Sequence, residues 1–563
     1  MDRRRFIAAT AATALSLKSL AQQPTTATLT LSKAAGPTIP ANFVGLSYET
    51  QQLTDPTFFS PQNTGLIALF RALAPTGVLR LGGNTSDVGW WQPTPSSPQP
   101  PLPDKVVIIP LRPEEVPFQK LANYINPAAI RNLRAFLDAT AWTCLYGINL
   151  ATSTPARAAE EAAFVTQTLG TKLEYFQLGN EPDLFPSRFR VKATWTVDAY
   201  LDEWLATANA IRAAVPNARF GLPDTSGNPQ WSSRIADRLA AMPTPTPLSS
   251  RPERSEVERP AARSQQQDLS PSVPAADPTR PHIAAISHHY YFGGPPSNPE
   301  INIDRLLQPN PKVQQTAITT REAAAKLNVP YRMTEGNTCY RGGKPGVSDV
   351  FASALWAADY LLTLAQLGYA GVNLHGGSGK AVADSLGGTL PGELLMPDPN
   401  APHPRPFYTP IAEINGHYAA QPIYFGMQFA QKFVGATMIP IKFNPGKVNA
   451  TAYAARRADG KRIIAIINKD TTQKLHVDLA GIVGSCNRVL KAESLTSATV
   501  MWDNRFETIS GYLTHMKTEG WKPDLYTCGS TQDAYHSVEL PPATAVVLDN
   551  LDSDQIFPGL GGT

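Results

Sequence analysis

The sequence predicts a (β/α)8 barrel carrying an accessory C-terminal β-sandwich, on three observations. Eight short apolar runs alternate with helical patterns over most of the chain. The runs end on glycine, aromatic and ionisable residues. From about residue 440 the helical period gives way to short alternating segments. Strands alternating with helices make parallel βαβ units, and eight units close a barrel. A doubly wound sheet would place a glycine-rich turn after its first strand, and the turn after Tyr48 has none.

The elements follow in order. Arg3, Arg4, Arg5 and Phe6 precede the apolar run Ile7 to Leu17, with small residues at Ser19 and Ala21. Residues 1–21 therefore read as a twin-arginine-like export signal, and the run is shorter than the ~20 residues of a membrane span. Residues 22–40 contain the alternating Thr28–Leu31 stretch, expected to join the sandwich. The barrel is expected over 41–435, with apolar runs at Phe43–Tyr48, Val78–Leu81, Thr143–Asn149, Leu173–Leu178, Arg219–Leu222, Ile283–His288, Tyr331–Thr334 and Gly371–Leu374. Helical patterns at Ala128–Ala139, Ala156–Leu169, Val197–Ala214, Val313–Leu327 and Ser348–Leu367 separate them. The segment 243–281, rich in Pro, Ser, Arg, Glu and Gln, cannot bury enough apolar surface to offset its ordering entropy and reads as a disordered insertion. Residues 436–563 form the sandwich domain.

Composition narrows the function. The 563 residues carry 49 Lys+Arg and 46 Asp+Glu, a net charge of +3 that lies in the N-terminal segment and leaves a neutral mature chain. Without a clustered positive field, nucleic acid and acidic membrane surfaces are excluded as main partners. Apolar residues at 42 % support a sizeable core. The four cysteines show no CxxC spacing, which argues against structural zinc. Cys144 reads as a core thiol, and Cys486 and Cys528 as a pair able to bond in an oxidising compartment. The sequence implies neither a metal nor a cofactor, and it leaves the oligomeric state open.

Catalytic residues of such a barrel sit at the C-terminal ends of its strands. Two glutamates do so: Glu181 in Gly179-Asn180-Glu181-Pro182 after the fourth run, and Glu335 in Thr334-Glu335-Gly336-Asn337 after the seventh. Across a barrel mouth these positions face each other. Paired carboxylates are what glycosidic cleavage needs, one to protonate the leaving oxygen and one to attack the anomeric carbon. His288 and Tyr290 alternate on one face of the sixth strand, His289 and Tyr291 on the other. One pair should reach the pocket. Neighbours on a strand diverge, so His288-His289 makes a poor metal site.

These motifs resemble the large clan of retaining glycosidases built on this barrel. Within it the chain resembles glycoside hydrolase family 79, which contains heparanases and β-glucuronidases. The matching pieces are Leu79-Arg80-Leu81-Gly82-Gly83 with Asp87, Gly179-Asn180-Glu181-Pro182, His288-His289-Tyr290-Tyr291, and Glu335 followed by Tyr340 and Gly342-Gly343. The long insertion and the His375-Gly376-Gly377 turn depart from the pattern. The resemblance implies a retaining enzyme acting on a carbohydrate bearing β-linked glucuronic acid, with Glu181 as general acid/base and Glu335 as nucleophile. It further implies Arg80 as support for the nucleophile, Asn180 on the sugar's 2-hydroxyl, and His288 and Tyr290 as the pocket-facing pair. Tyr340, Gly342 and Gly343, with Gly376 and Gly377, are expected to hold the sugar carboxylate through a hydroxyl and backbone N–H groups. Ser47, Glu49 and Asp87 are expected to take other hydroxyls. The alternatives are a clan member acting on a neutral arabinofuranoside or xyloside, and an inactive carbohydrate-binding surface protein.

Overall fold

Eight parallel strands close on themselves in sequence order: β1 (Val44–Glu49), β2 (Val78–Gly82), β3 (Thr143–Ile148), β4 (Leu173–Leu178), β5 (Arg219–Thr225), β6 (His282–Gly293), β7 (Tyr331–Cys339) and β8 (Val372–Gly376), with β8 pairing back onto β1. The computed structural model describes residues 26–107, 123–242, 281–398, 405–414, 416–479, 482, 489–495, 522–527 and 537–551. The expected export signal, nearly all of the expected insertion, and Cys486 with Cys528 lie outside these residues. Cys144 and Cys339 are buried free thiols. Among the described residues no helix is long and apolar enough to cross a membrane.

Strand periodicity sets what fills the barrel. Val78, Leu145, Tyr175 and Ala285 form an apolar layer within it. Two residues further along their strands, Arg80 and Gln177 occupy the same inward face. The Arg80 Nε donates to Gln177 Oε1 at 3.1 Å. The barrel is thus sealed by apolar side chains on one side of a buried polar layer, and that layer supports the mouth.

The surrounding helices begin where local chemistry dictates. Pro127–Thr140, Pro155–Leu169 and Pro311–Leu327 each open on proline, whose missing N–H has no partner to lose there. Asn126, Thr154 and Asn310 accept the first free N–H groups, at Ala129, Arg157 and Lys312. The helix Phe351–Gln366 buries thirteen of its sixteen residues. It lies between the barrel and the helix Pro422–Gln431, whose Gly426 abuts the Ala354 carbonyl so closely that a Cβ would sit 2.1 Å from it.

The second unit is a pair of sheets. One has the strand order Ile441–Asn444, Thr26–Leu31, Leu475–Asp478, Ser537–Leu540. The other runs Thr437–Ile439, Ala450–Arg456, Arg462–Asn468, Thr544–Leu551, Val489–Leu495, Lys522–Thr527. Ala27, Leu29, Val477 and Leu540 from the first meet Ile464, Ile466, Val546 and Leu548 from the second. The alternation of Thr26–Leu31 buries Ala27 and Leu29 and exposes Thr26 and Thr28. Leu29 pairs with Phe443. The two units are tied by Asp359 on Phe351–Gln366, which pairs with Lys469 at 2.7 Å and accepts from Thr451 and Tyr453, each at 2.6 Å.

Two barrel strands run further than their apolar cores suggest. β6 continues to Gly293 and β7 to Cys339, so the expected strand-end residues His288–Tyr291 and Glu335 lie within strands. In β7 the register slips between Met333 and Glu335. Met333 packs outward in the main core, and strict alternation would send Glu335 the same way. The irregularity re-aims it inward, as bulges beside active sites do.

Candidate active site

Glu181 stands on a turn and Glu335 on a strand. β4 ends at Leu178, and the chain leaves the barrel through two left-handed residues, Gly179 (φ 83°) and Glu181 (φ 48°). A left-handed backbone is strained for a glutamate. It is held by the Glu181 N–H donating to the Asp224 carbonyl at 3.0 Å and the Gly179 N–H donating to Ile148 at 3.0 Å. Glu335 is buried, with Arg80 Nη1 at 2.6 Å from Oε2 and the Tyr291 hydroxyl donating to Oε1 at 2.9 Å.

His289 lies between them. Its Nδ1 is 3.1 Å from Glu181 Oε1, and its Nε2 is 3.4 Å from Arg80 Nη2. One oxygen of Glu181, one ring nitrogen of His289 and one oxygen of Glu335 all lie within 4.8 Å of one another. That falls near the retaining separation of about 5–5.5 Å and well short of the roughly 6.5–9.5 Å that admits a water in inverting enzymes. Three such groups could also ligate a cation. The fixed guanidinium of Arg80, however, already sits against two of them and repels a second positive charge.

The electrostatics around Glu335 favour its ionised form. Burial pushes Glu335 towards its neutral form, but the charges of His375, His289 and Arg80 and the Tyr291 hydrogen bond hold it well below the usual carboxylate range. Burial opposes charge on His289, yet the Glu335 charge and the Glu181 hydrogen bond raise its pKa. The nucleophile candidate is therefore kept ionised beside a histidine whose pKa its charge raises.

Around this pair lies a cavity of about 330 Å3, lined by Glu49, Asn84, Glu181, Leu184, Arg188, Ser226, Tyr291, Glu335, Tyr340, Arg341, His375, Val382, Ser385, Leu386 and Tyr408. Glu49 and Tyr340 were expected there. Glu49 accepts from the Thr85 N–H at 2.9 Å and hydroxyl at 2.7 Å. Gly83 is required beside it, since a Cβ would lie 2.3 Å from a Glu49 oxygen. Ser47 lies beneath, fully buried, between His375 Nδ1 at 3.0 Å and Arg80 at 3.3 Å. Asn180 gives its carbonyl oxygen to Arg80 Nη2 at 2.8 Å and its amide to Asn84 at 3.4 Å.

The structure corrects three expectations. Tyr291 lines the cavity and His289 lies behind it against Glu181 and Arg80, whereas His288 and Tyr290 point away. Ile286, two residues before His288, packs in the outer core, so the outward face of β6 carries His288 and Tyr290. There His288 meets the Tyr369 hydroxyl at 2.8 Å and Tyr290 stacks on Tyr360 at 5.4 Å. Burial accordingly lowers His288 to about 4. Asp87 is also withdrawn from the cavity. It accepts the Asn180 N–H at 2.8 Å and the Ala151 N–H at 3.2 Å, bracing the turn that carries Glu181. Burial pushes its pKa up to about 6.

The third correction concerns the glycines. Gly377 donates its N–H to Thr409 Oγ1 at 3.2 Å, and Gly376 abuts the same side chain. Gly342 packs on Leu390 and Gly343 on the Tyr408 backbone. None of the four lines the cavity. Their work is conformational: Gly342 and Gly343, with φ of 87° and 85°, turn the chain after β7.

The sequence reading missed His289, Tyr291, Arg188, His375 and Tyr408 as site residues. The outward placement of Ile286 is the signal that would have settled the parity of β6. Tyr408 comes from a segment beyond β8 with no motif of its own.

No family model matches the sequence. Over 222 residues, 37 % of the chain, it is 28 % identical to a β-glucuronidase of Aspergillus niger, and the chain spans only 35 % of that relative's length. Among solved structures, a 4-O-α-L-rhamnosyl-β-D-glucuronidase from Fusarium oxysporum aligns with a TM-score of 0.59 at 15 % identity, over 93 % of this chain and 100 % of that one. A family 51 α-L-arabinofuranosidase from Thermotoga petrophila aligns with a TM-score of 0.61 at 14 % identity, again over 93 % and 100 %. The chain therefore has the barrel-plus-β-domain fold found in these glycosidases.

Proposed function

We propose that the protein is a retaining glycoside hydrolase that releases β-linked glucuronic acid. The observation that carries this reading is the pair Glu181 and Glu335, close enough for double displacement, with Glu335 held ionised by its cationic neighbours. In the first step Glu335, kept anionic by Arg80 and Tyr291, attacks the anomeric carbon, and Glu181 gives its proton to the leaving oxygen. In the second, Glu181 takes a proton from water, which displaces the sugar from Glu335. In this reading Asn180, its side chain held by Arg80 and Asn84, bonds the 2-hydroxyl. We further propose that the enzyme belongs with family 79, is exported, and acts on terminal residues. The likeness to the Aspergillus enzyme supports the sugar identity.

A second reading has support of its own. The arabinofuranosidase aligns as well as the glucuronidase, and the buried acid Glu49 on the cavity wall suits neutral hydroxyls. Hydrolysis of p-nitrophenyl β-glucuronide, β-glucoside, β-xyloside and α-L-arabinofuranoside decides between them. The proposal expects the glucuronide to lead and a 2-fluoro-glucuronide to label Glu335. Turnover of the arabinofuranoside alone overturns the sugar assignment, and labelling of any other residue overturns the roles.

A further inference from the structure

The cavity wall carries two cations that the chemistry above does not use. Arg188 lies on the turn after Glu181, and Arg341 directly follows Tyr340 beyond β7. The carboxylates nearby have other partners: Glu335 has Arg80, Glu49 has Thr85 and His375 at 3.5 Å, and Glu181 has His289 at 3.1 Å. Neither Arg188 nor Arg341 forms an ion pair or a side-chain hydrogen bond among the described residues. The Arg188 Nε is buried with no partner. A buried, unmatched guanidinium N–H costs free energy that a bound acceptor recovers. Burial also makes charge on Arg188 costlier, the carboxylates of Glu181, Asp87 and Glu49 offset part of that from beyond ion-pair distance, and Arg341 adds repulsion of the same sign. Two arginines on one cavity wall, neither in an ion pair and one with an orphaned N–H, offer a planar donor set that a carboxylate matches.

Resting on the glucuronidase reading, we infer that Arg188 and Arg341 hold the carboxylate of the substrate's uronic acid and set selectivity for acidic over neutral sugars. The arrangement expected from the resemblance is incomplete here, because Gly377 spends its N–H on Thr409 and Gly342, Gly343 and Gly376 are not among the residues lining the cavity. Tyr340 remains beside Arg341 and contributes its hydroxyl. The backbone supports this placement: Arg341 is itself left-handed (φ 62°) and starts the turn completed by Gly342 and Gly343.

The test compares p-nitrophenyl β-glucuronide with its uncharged glucuronamide, so that only the carboxylate changes. Arg188→Gln and Arg341→Gln should each lower the acid-to-amide ratio of kcat/KM by about tenfold to a hundredfold, mainly through KM, as expected for a lost charge-assisted hydrogen bond. Arg341→Lys should recover part of the loss, and melting curves show whether each variant folds. An unchanged ratio in both glutamine variants, with the glucuronide still cleaved, overturns the inference and leaves the proposed function standing. A drop seen only with substrates bearing an anionic leaving group moves the arginines to that side and also overturns it. Should the wild type cleave only neutral glycosides, calorimetric titration with D-glucuronate and D-glucose decides separately. Arginine-dependent glucuronate binding keeps the inference without the activity, and no glucuronate binding removes both.

Discussion

The end of β4 and the middle of β7 deliver the same residue type by opposite means. Glu181 sits beyond its strand on a strained left-handed turn, half-buried, with only a histidine against its carboxylate. Glu335 sits within its strand, buried, re-aimed by a register slip and gripped by a guanidinium and a phenol. The proposed acid/base stays partly exposed, hydrogen-bonded to a histidine and with no arginine or lysine in ion-pair contact. A group that must stay anionic is buried, which is tolerable only because Arg80 is buried with it. A third glutamate sharpens the contrast. Glu161, buried on Pro155–Leu169 with only the Tyr146 hydroxyl donating to it at 2.8 Å, is pushed up to about 7 by burial. Burial alone therefore neutralises a glutamate in this protein, and the cations around Glu335 reverse the outcome.

The largest expected effect breaks the β7 half. Glu335→Gln should lower turnover by roughly 10^4–10^6-fold on every substrate, since residues acting as a catalytic unit fail together. Steady-state rates measure it, and residual activity within tenfold of wild type would sink the assignment. Glu181→Ala should act unevenly. Hydrolysis of alkyl glycosides should fall by about 10^2–10^4-fold, whereas the first step on dinitrophenyl substrates needs little protonation and survives. Added azide should then restore turnover and give the β-glycosyl azide. Equal losses on all leaving groups would erase the distinction between the two glutamates.

Changing the grip on Glu335 tests the electrostatic half of the comparison. Arg80→Lys keeps a charge but loses the planar fork that reaches Gln177, Asn180 and Glu335 together, so the Glu335 pKa should rise. The acid limb of kcat/KM against pH should move upward, because the nucleophile protonates sooner as pH falls. A limb that stays in place means Arg80 does not hold the ionised form.

The smallest effect is on stability. The folded-state pKa of Glu161 lies above its unfolded value, so its contribution is full below about pH 4.5 and is lost as pH rises through about 7. Glu161→Gln should remove that loss and gain on the order of 1–3 kcal/mol relative to wild type at pH 8, with little change at pH 4. Chemical denaturation at the two pH values reads the difference. A uniform shift at both would show that Glu161 matters through packing alone.

Much of this was legible in the residues. Eight apolar runs with helical patterns between them specify the barrel, because a parallel strand covered on both faces must be apolar throughout. The alternation in Thr26–Leu31 marks a sandwich strand some 410 residues before its partner Ile441–Asn444, because period two is readable without knowing the neighbour. Glu181 and Glu335 were visible as carboxylates at strand ends. What the sequence could not show is which way a side chain faces once strand length and register are set by neighbours. The slip in β7 and the extension of β6 are tertiary events, and a shift of one residue exchanges His288 and Tyr290 for His289 and Tyr291. The same holds for Arg188, Arg341 and Tyr408, which lie on connecting segments without periodicity. Only the closed barrel brings them to one wall and leaves two arginines there without an ion pair among the described residues.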